Sequence, residues 1–234
     1  MSYLALSDGD FVKIDYSVWR VADNQLLETT NEQLAKENGI YSEGSKYAPV
    51  LVVIGKRDVV KGVDEALKKM SVNEEKEIVV EPKDAFGERD PSLVKVIALS
   101  EFRKRDIDPY PGMVISLDGV EAVVKSVNSG RVIVDENNPL AGESLKYKIK
   151  VTEKLDKDED KIKAIAEKLG ITPSSISIDP ATKTAKIEFN TQEKTAEYEA
   201  KKSSLPTYVF TYMDSIEKVE IKDTYTRPKK EEQK

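Results

Sequence analysis

Residues 47–70 read YAPVLVVIGKRDVVKGVDEALKKM. Val50–Ile54 is an apolar run rich in β-branched residues, which fit a pleated, half-buried strand. The chain turns at Gly55 through Lys56, Arg57 and Asp58, passes Val59 and Val60, and changes period at Gly62. Val63, Ala66, Leu67 and Met70 then recur at helical spacing. A strand, a tight loop and a short helix thus follow one another, with Val59 and Val60 at the passage into the helix. A backbone N–H and two branched side chains at such a junction can floor a shallow apolar pocket. Plain core is the other reading of the same residues.

Upstream, Phe11–Val21 (FVKIDYSVWRV) alternates apolar and polar, placing Val12, Ile14, Tyr16 and Val18 on one face of a strand. Asp23-Asn24 makes a turn into a second strand beginning at Leu26-Leu27, so the pair reads as a hairpin. NEQLAKENGIY predicts a short helix ending at Gly39. Tyr16 is either core or pocket wall. Downstream, Lys76–Val80 is a short strand, and EPKDAFGERDP is an irregular loop punctuated by Pro82, Gly87 and Pro91. Phe86, in the middle of that loop, needs a core or a ligand to cover it.

Residues 88–136 have their own pattern. Leu93–Leu99 is a strand, and a short helix or turn starts at Ser100. Met113–Leu117, Val120–Val127 and Arg131–Asp135 are strands joined by Asp-Gly and Asn-Ser-Gly turns, which make a β-meander. About 50 residues hold only a small core, so exposed apolar surface is expected. The basic run Arg103-Lys104-Arg105 reads as a solvated face.

Asn137–Gly142 is a turn-rich linker. Ser144–Val151 (SLKYKIKV) then alternates cleanly, with Leu145, Tyr147, Ile149 and Val151 on one face. Its pattern resembles Phe11–Val21 more than the meander, so it is expected to return to the first sheet, leaving 88–136 as an insertion. Asp156–Gly170 is an amphipathic helix stopped by Gly170. Ile176–Asp179 and Thr184–Phe189 form a strand pair. Asn190 is expected to cap a helix over Thr191–Lys202, which Pro206 interrupts before an apolar continuation at Val209–Met213. Ile216–Asp223 is a final strand, and the closing RPKKEEQK is a disordered tail. No chemistry is read in residues 155–234.

Composition narrows function by exclusion. The 234 residues contain no cysteine and no histidine, which removes disulfides, thiolate nucleophiles, Ser-His and Cys-His arrangements and the usual zinc sites. A net charge of −6 argues against a general nucleic-acid partner. Heavy lysine and glutamate usage without cysteine fits a thermophile. No phosphate-binding glycine motif occurs, and Asp156–Asp160 lacks the central glycine and terminal glutamate of a calcium loop. No apolar run reaches the roughly 20 residues of a membrane span, and MSYLALSDGDF is polar where a signal peptide is apolar. A cytoplasmic protein with no cofactor, no metal and no membrane partner is expected.

Taken together, Val12–Val18, Leu26–Thr30, Val52–Leu67, Asp84–Gly87 and Asn137–Val151 resemble the FKBP family of peptidyl-prolyl cis/trans isomerases, in its SlyD-like long archaeal branch. The resemblance covers about residues 7–153. The pieces Asp-Ala-Phe-Gly and Asn-Pro-Leu-Ala-Gly, with the insertion between them, are those of this branch. The resemblance implies an α+β fold, a half-wrapped antiparallel sheet around one helix. It divides the chain into an isomerase domain at 1–87 and 137–154, an insert-in-flap domain at 88–136 and a C-terminal α+β domain at 155–234.

It also implies a proline pocket. Tyr16, Glu28, Val60, Phe86 and Tyr147 are its catalytic positions, with the Val60 N–H receiving a substrate carbonyl. Leu27, Val59, Val63, Leu140 and Ala141 are its substrate-binding positions. In the insert, Leu99, Phe102, Met113 and Ile115 would hold an unfolded chain. Glu28 stands where the family usually has Asp, Val63 where a larger apolar residue is common, Phe86 where Tyr often stands, and Asn138 where His often precedes Pro139. The implied partners are unfolded or proline-containing polypeptides, including nascent chains at the ribosome, for a monomer or a dimer through the C-terminal domain. The alternative is a non-enzymatic holdase or adaptor with a vestigial pocket.

Overall fold

The computed structural model describes residues 5–117, 119–190 and 195–225. The chain separates into two compact units, one holding the residues through Trp19, Leu26–Ile78 and those from Tyr147 on, the other Arg20–Gln25 and Val79–Lys146. The fold is mixed α+β with mostly antiparallel sheets.

In the first unit β1 (Phe11–Arg20) is followed by β2 (Leu26–Thr29), α1 (Glu32–Glu37), β3 (Val50–Val53), α2 (Lys61–Leu67) and β4 (Glu75–Val80). β3 pairs antiparallel with the first half of β1, Phe11–Ile14, and β2 pairs antiparallel with Ser17–Trp19. The Asn31 side chain caps α1 by accepting the Leu34 N–H at 2.9 Å.

The second unit contains β5 (Val94–Ala98), α3 (Leu99–Arg103), β6 (Val114–Leu117), β7 (Val120–Asn128) and β8 (Arg131–Asp135). They form a four-stranded sheet in the order β5-β8-β7-β6, so the meander gains β5 as a further strand on β8. Phe102, Ile115, Ala122, Val124, Val132 and Val134 make its core.

The chain then returns in β9 (Leu145–Leu155), which lies between β1 and β4 in the first sheet. The alternation of Ser144–Val151 predicts that return, and the strand runs four residues further than the pattern. Beyond it come α4 (Asp158–Lys168), β10 (Ser175–Asp179), β11 (Thr184–Phe189), α5 (Ala196–Tyr212) and β12 (Lys218–Asp223). β10 pairs antiparallel and β12 parallel with β11.

Two expectations for this last segment need correction. The cap of α5 is Thr195, whose hydroxyl accepts the Tyr198 N–H at 3.1 Å, and not Asn190. Pro206 lies inside the helix without ending it. A proline removes one ladder bond, and the buried face Leu205, Val209 and Tyr212 holds the helix together across it. Residues 191–194 and the predicted tail at RPKKEEQK lie outside the described residues.

The first sheet is buried on both faces where β1 meets β3. Adjacent strand residues point to opposite sides, yet Phe11 and Val12 are both buried. Phe11, Leu51 and Val53 join Leu155, Ile162, Ile165, Ile187, Phe189, Leu205 and Val209 in one cluster, so α4, β11 and α5 pack on the back of the sheet. Val12, Val52 and Ile14 are buried on the opposite face.

Candidate functional site

The passage from β3 to α2 is fixed by backbone bonding. Gly55 turns with φ +77°, and its N–H donates to Asp64 Oδ1 at 2.8 Å. Asp58 Oδ2 accepts the Val53 N–H at 3.0 Å and closes the turn from its other end. Val60 is extended at φ −61°, ψ 150°, and is the N-cap of α2. Its carbonyl accepts the Val63 and Asp64 N–H groups at 3.0 and 3.1 Å. Among the described residues no acceptor meets the Val60 N–H. Val59 and Val60 are half-buried, and Val63 is buried in the first turn of α2. A free donor between two branched apolar side chains suits a carbonyl that arrives flanked by apolar groups.

A second group is assembled by the β1–β2 pair. Tyr16 Oη donates to Glu28 Oε1 at 2.5 Å. The pair is framed by Ser17 and Thr29, whose hydroxyls lie 2.6 Å apart, and by Thr30, whose hydroxyl accepts the Tyr16 N–H at 3.0 Å. Leu27, between the buried Leu26 and the exposed Glu28, is half-buried. Tyr147, on β9, is buried and sits in the field of the Glu28 carboxylate. Burial first, then Glu28, pushes the Tyr147 phenol up to about 12. Burial, the hydrogen bond to Glu28 and the charge on Glu28 push Tyr16 above its ordinary value as well, with a smaller contribution from Tyr147. Both phenols therefore stay neutral through the physiological range. The group presents aromatic surface rather than an acid or base.

In the second unit the Asp84–Gly87 and Asn137–Gly142 segments meet at their ends, the Gly142 N–H donating to the Gly87 carbonyl at 2.9 Å. Phe86 is 38% exposed, Leu140 half-buried and Ala141 buried. Asn137 stitches the base of the insertion: its Oδ1 accepts the Asp90 N–H at 2.8 Å and its Nδ2 donates to the Asp90 carbonyl at 2.9 Å. Asp135, only 3% exposed at its side chain, bonds Arg89 and lies 3.6 Å from Lys125.

The insert differs from expectation in which apolar residues it exposes. Phe102 and Ile115 are core, 3% and 6% exposed, because α3 closes over that face of the sheet. Leu99 and Met113 pack half-buried against the same core. The exposed apolar side chains are instead Val96, Tyr110, Val114 and Val120. A cleft of about 270 Å³ opens beside the core, where Phe102 and Ile115 join Ile97, Leu117 and Val120, with charges of both signs at Lys95, Glu101, Arg105 and Glu136.

The structure thus brings Tyr16, Glu28 and Tyr147 together, places Val59, Val60 and Val63 along one strand-to-helix passage, and ties the loop that carries Phe86 to the Leu140–Ala141 segment through the Gly142–Gly87 bond. Asp58, Asp64 and Asn137 are given no role in the sequence reading. Their signal is an accounting one: each satisfies backbone groups in a loop that supplies no ladder partner.

Comparison with known proteins places these features in a family. Residues 4–102 match the family model for the FKBP-type peptidyl-prolyl cis-trans isomerase, and residues 95–140 match that for the FKBP26 IF domain. A short-type peptidyl-prolyl cis-trans isomerase of Methanocaldococcus jannaschii is 36% identical over 146 residues, covering 62% of this chain and 92% of that protein. The FKBP-type isomerase SlyD of Helicobacter pylori is 26% identical over half of this chain and 64% of its own. An FKBP-type 16 kDa isomerase of Escherichia coli is 29% identical over 45% of this chain and 73% of its own. Both family models stop short of residues 141–234. This chain belongs to the FKBP-type peptidyl-prolyl cis-trans isomerase family.

Proposed function

We propose that the chain isomerises X–Pro bonds in unfolded polypeptides by preferential binding of the twisted amide, while residues 88–136 hold the rest of the substrate. The observation that carries the first part is the Val60 N–H, which meets no acceptor among the described residues and lies between half-buried apolar side chains at the start of α2. Rotation about X–Pro is slow because the amide loses resonance on twisting. The twisted amide needs no proton transfer and no metal; it needs an apolar surface for the prolyl ring and a donor for a carbonyl. Each tenfold in rate requires about 1.4 kcal/mol of preference for the twisted state.

In this reading the Val60 N–H donates to the substrate carbonyl, with Val59, Val63 and Leu27 against the ring. Tyr16 and Tyr147 supply aromatic wall, and Glu28 holds the Tyr16 hydroxyl. We carry the family's substrate contacts over to Phe86, Leu140 and Ala141. For the insert, the cleft flanked by Ile97, Phe102 and Ile115 supports the holding role better than a continuous exposed strand does.

Isomerisation of an Ala-Phe-Pro-Phe-type peptide tests the proposal. The wild type accelerates it, and Tyr16→Ala and Phe86→Ala lose most of the acceleration. No acceleration by the wild type refutes the enzymatic reading and leaves a holdase. Deleting 88–136, beyond the Gly87–Gly142 bond, should spare tetrapeptide turnover and abolish catalysed refolding of a protein; equal loss of both rejects the division of labour. Nascent chains are the substrates we assign first, read by cosedimentation with translating and empty ribosomes. A dimer through residues 155–234 predicts twice the 26.2 kDa chain mass by light scattering. Among the described residues no helix is long and apolar enough to cross a membrane.

A further inference from the structure

Asp58 immediately precedes Val59 and Val60, and its carboxylate is held by three donors. Oδ2 accepts the Val53 N–H at 3.0 Å and the Lys168 ammonium at 2.9 Å, and Oδ1 accepts the Tyr212 hydroxyl at 2.6 Å. Only the first donor belongs to the β3–α2 loop. Lys168 ends α4 and Tyr212 ends α5, both in the stretch beyond the two family models.

The contact is enclosed: the Asp58 side chain is 7% exposed and Tyr212 is 9% exposed. The Tyr212 ring meets Phe11 edge-on, centroids 6.3 Å apart, and the Lys168 ammonium lies 5.7 Å from the Tyr212 ring centroid. Burial and then the bond to Asp58 push the Tyr212 phenol above its ordinary value, so it remains a donor at any working pH.

The loop this carboxylate holds begins in a turn, the Lys56 N–H donating to the Val53 carbonyl at 3.2 Å. Gly55 is tied by Asp64, but Arg57 stands at φ +62°, in a left-handed conformation that costs about 1 kcal/mol for a non-glycine residue. Such a conformation persists only where its surroundings over-determine it, and the next residue, Asp58, is the one that α4 and α5 hold.

We infer that Tyr212 and Lys168 are positioning residues of the isomerase site: through Asp58 the C-terminal segment pre-sets the loop that presents the Val59 side chain and the Val60 N–H. The inference rests on the isomerase reading for its kinetic consequence, but not for its structural one. A merely structural tie would let Tyr212→Phe lower stability and leave the loop unchanged. The positioning role predicts more.

The test uses the full chain with Tyr212→Phe, Asp58→Asn, the double variant, and Ile187→Val as a control that trims the same core cluster away from Asp58. Two readouts are taken: amide hydrogen exchange of residues 54–60, and kcat/KM for the proline tetrapeptide. Tyr212→Phe should raise exchange at Val59 and Val60 at least about fivefold and lower kcat/KM about fivefold, the order expected for losing one charged hydrogen bond in part. Ile187→Val should do neither. The double variant should be no worse than Asp58→Asn, because Tyr212 acts through Asp58. Unchanged exchange in Tyr212→Phe, or the same increase in Ile187→Val, overturns the inference. If the wild type does not accelerate the peptide, the isomerase reading falls, and exchange alone decides whether the clamp exists.

Discussion

Replacing Tyr16 separates the two roles a tyrosine could play in this site. The Tyr16 hydroxyl is committed to Glu28 at 2.5 Å, so its proton is not available to a substrate. Tyr16→Phe removes that bond and keeps the ring. A hydrogen bond to a charged group contributes about 1.5–3 kcal/mol when enclosed, but Glu28 is exposed and water takes the place of the phenol. The net cost in stability should be about 1 kcal/mol or less. If the ring is the functional part, kcat/KM should fall by no more than about threefold. Tyr16→Ala removes the aromatic wall, whose burial against a prolyl ring contributes about 1.5–3 kcal/mol, and should lower kcat/KM roughly ten- to hundredfold. The assay is exchange spectroscopy on the proline tetrapeptide, with urea melts on the same samples. Equal loss in the Phe and Ala variants would refute the argument, because it would place the hydroxyl itself in the reaction.

Three further outcomes are expected. Asp135→Ala leaves the half-exposed Arg89 and Lys125 to water but takes the buried acceptor from the Asn137 N–H and Nδ2, and should destabilise the insert by about 1–3 kcal/mol, read as increased proteolysis within 88–136 at an unchanged tetrapeptide rate. Tyr147 has a folded pKa of about 12 against an unfolded value near 10, so the fold binds more protons than the unfolded chain between these pH values. Its contribution, on the order of 2 kcal/mol, is complete below pH 10 and lost as pH rises towards 12; Tyr147→Phe should flatten that part of the stability–pH curve. Lys202 is buried with its ammonium on Glu199 and Asp223, so Asp223→Ala, which leaves the buried cation with the half-exposed Glu199 alone, should lower the melting temperature more than Lys202→Met, which removes the charge and keeps an apolar chain of similar length.

The fold is legible in the sequence wherever one face of an element is buried and the other wet. Phe11–Arg20, Leu145–Val151 and Lys61–Leu67 announce themselves by period, and the return of β9 to the first sheet follows from a pattern shared across an interruption. The pattern gives less where both faces are covered. Phe11, Leu51 and Val53 read as ordinary strand residues, and nothing in their spacing says that α4 and α5 lie against them. Pro206 misleads for the related reason that packing at Leu205, Val209 and Tyr212 outweighs a local breaker. In the insert, Phe102 and Ile115 look available because a small domain is expected to expose apolar surface. A five-residue helix that turns Phe102 inward is enough to close the core in which Ile115 lies.

The site divides along the same line. Apolar side chains at a strand–helix passage are visible as residue types, which is how Val59, Val60 and Val63 come into view as candidates. Groups that hold backbone in place are invisible until the backbone is seen. Asp58, Asp64 and Asn137 are ordinary loop and helix acids or amides in the sequence, yet each supplies acceptors to N–H groups that would otherwise be unpaired. A reaction that uses no acid, base or metal depends on such groups more than most, because its catalytic power lies in where an N–H and a few apolar surfaces are held. On the proposed reading, the residues that decide the rate are divided between those that touch the proline and those, as distant in sequence as Tyr212, that fix the loop from which it is touched.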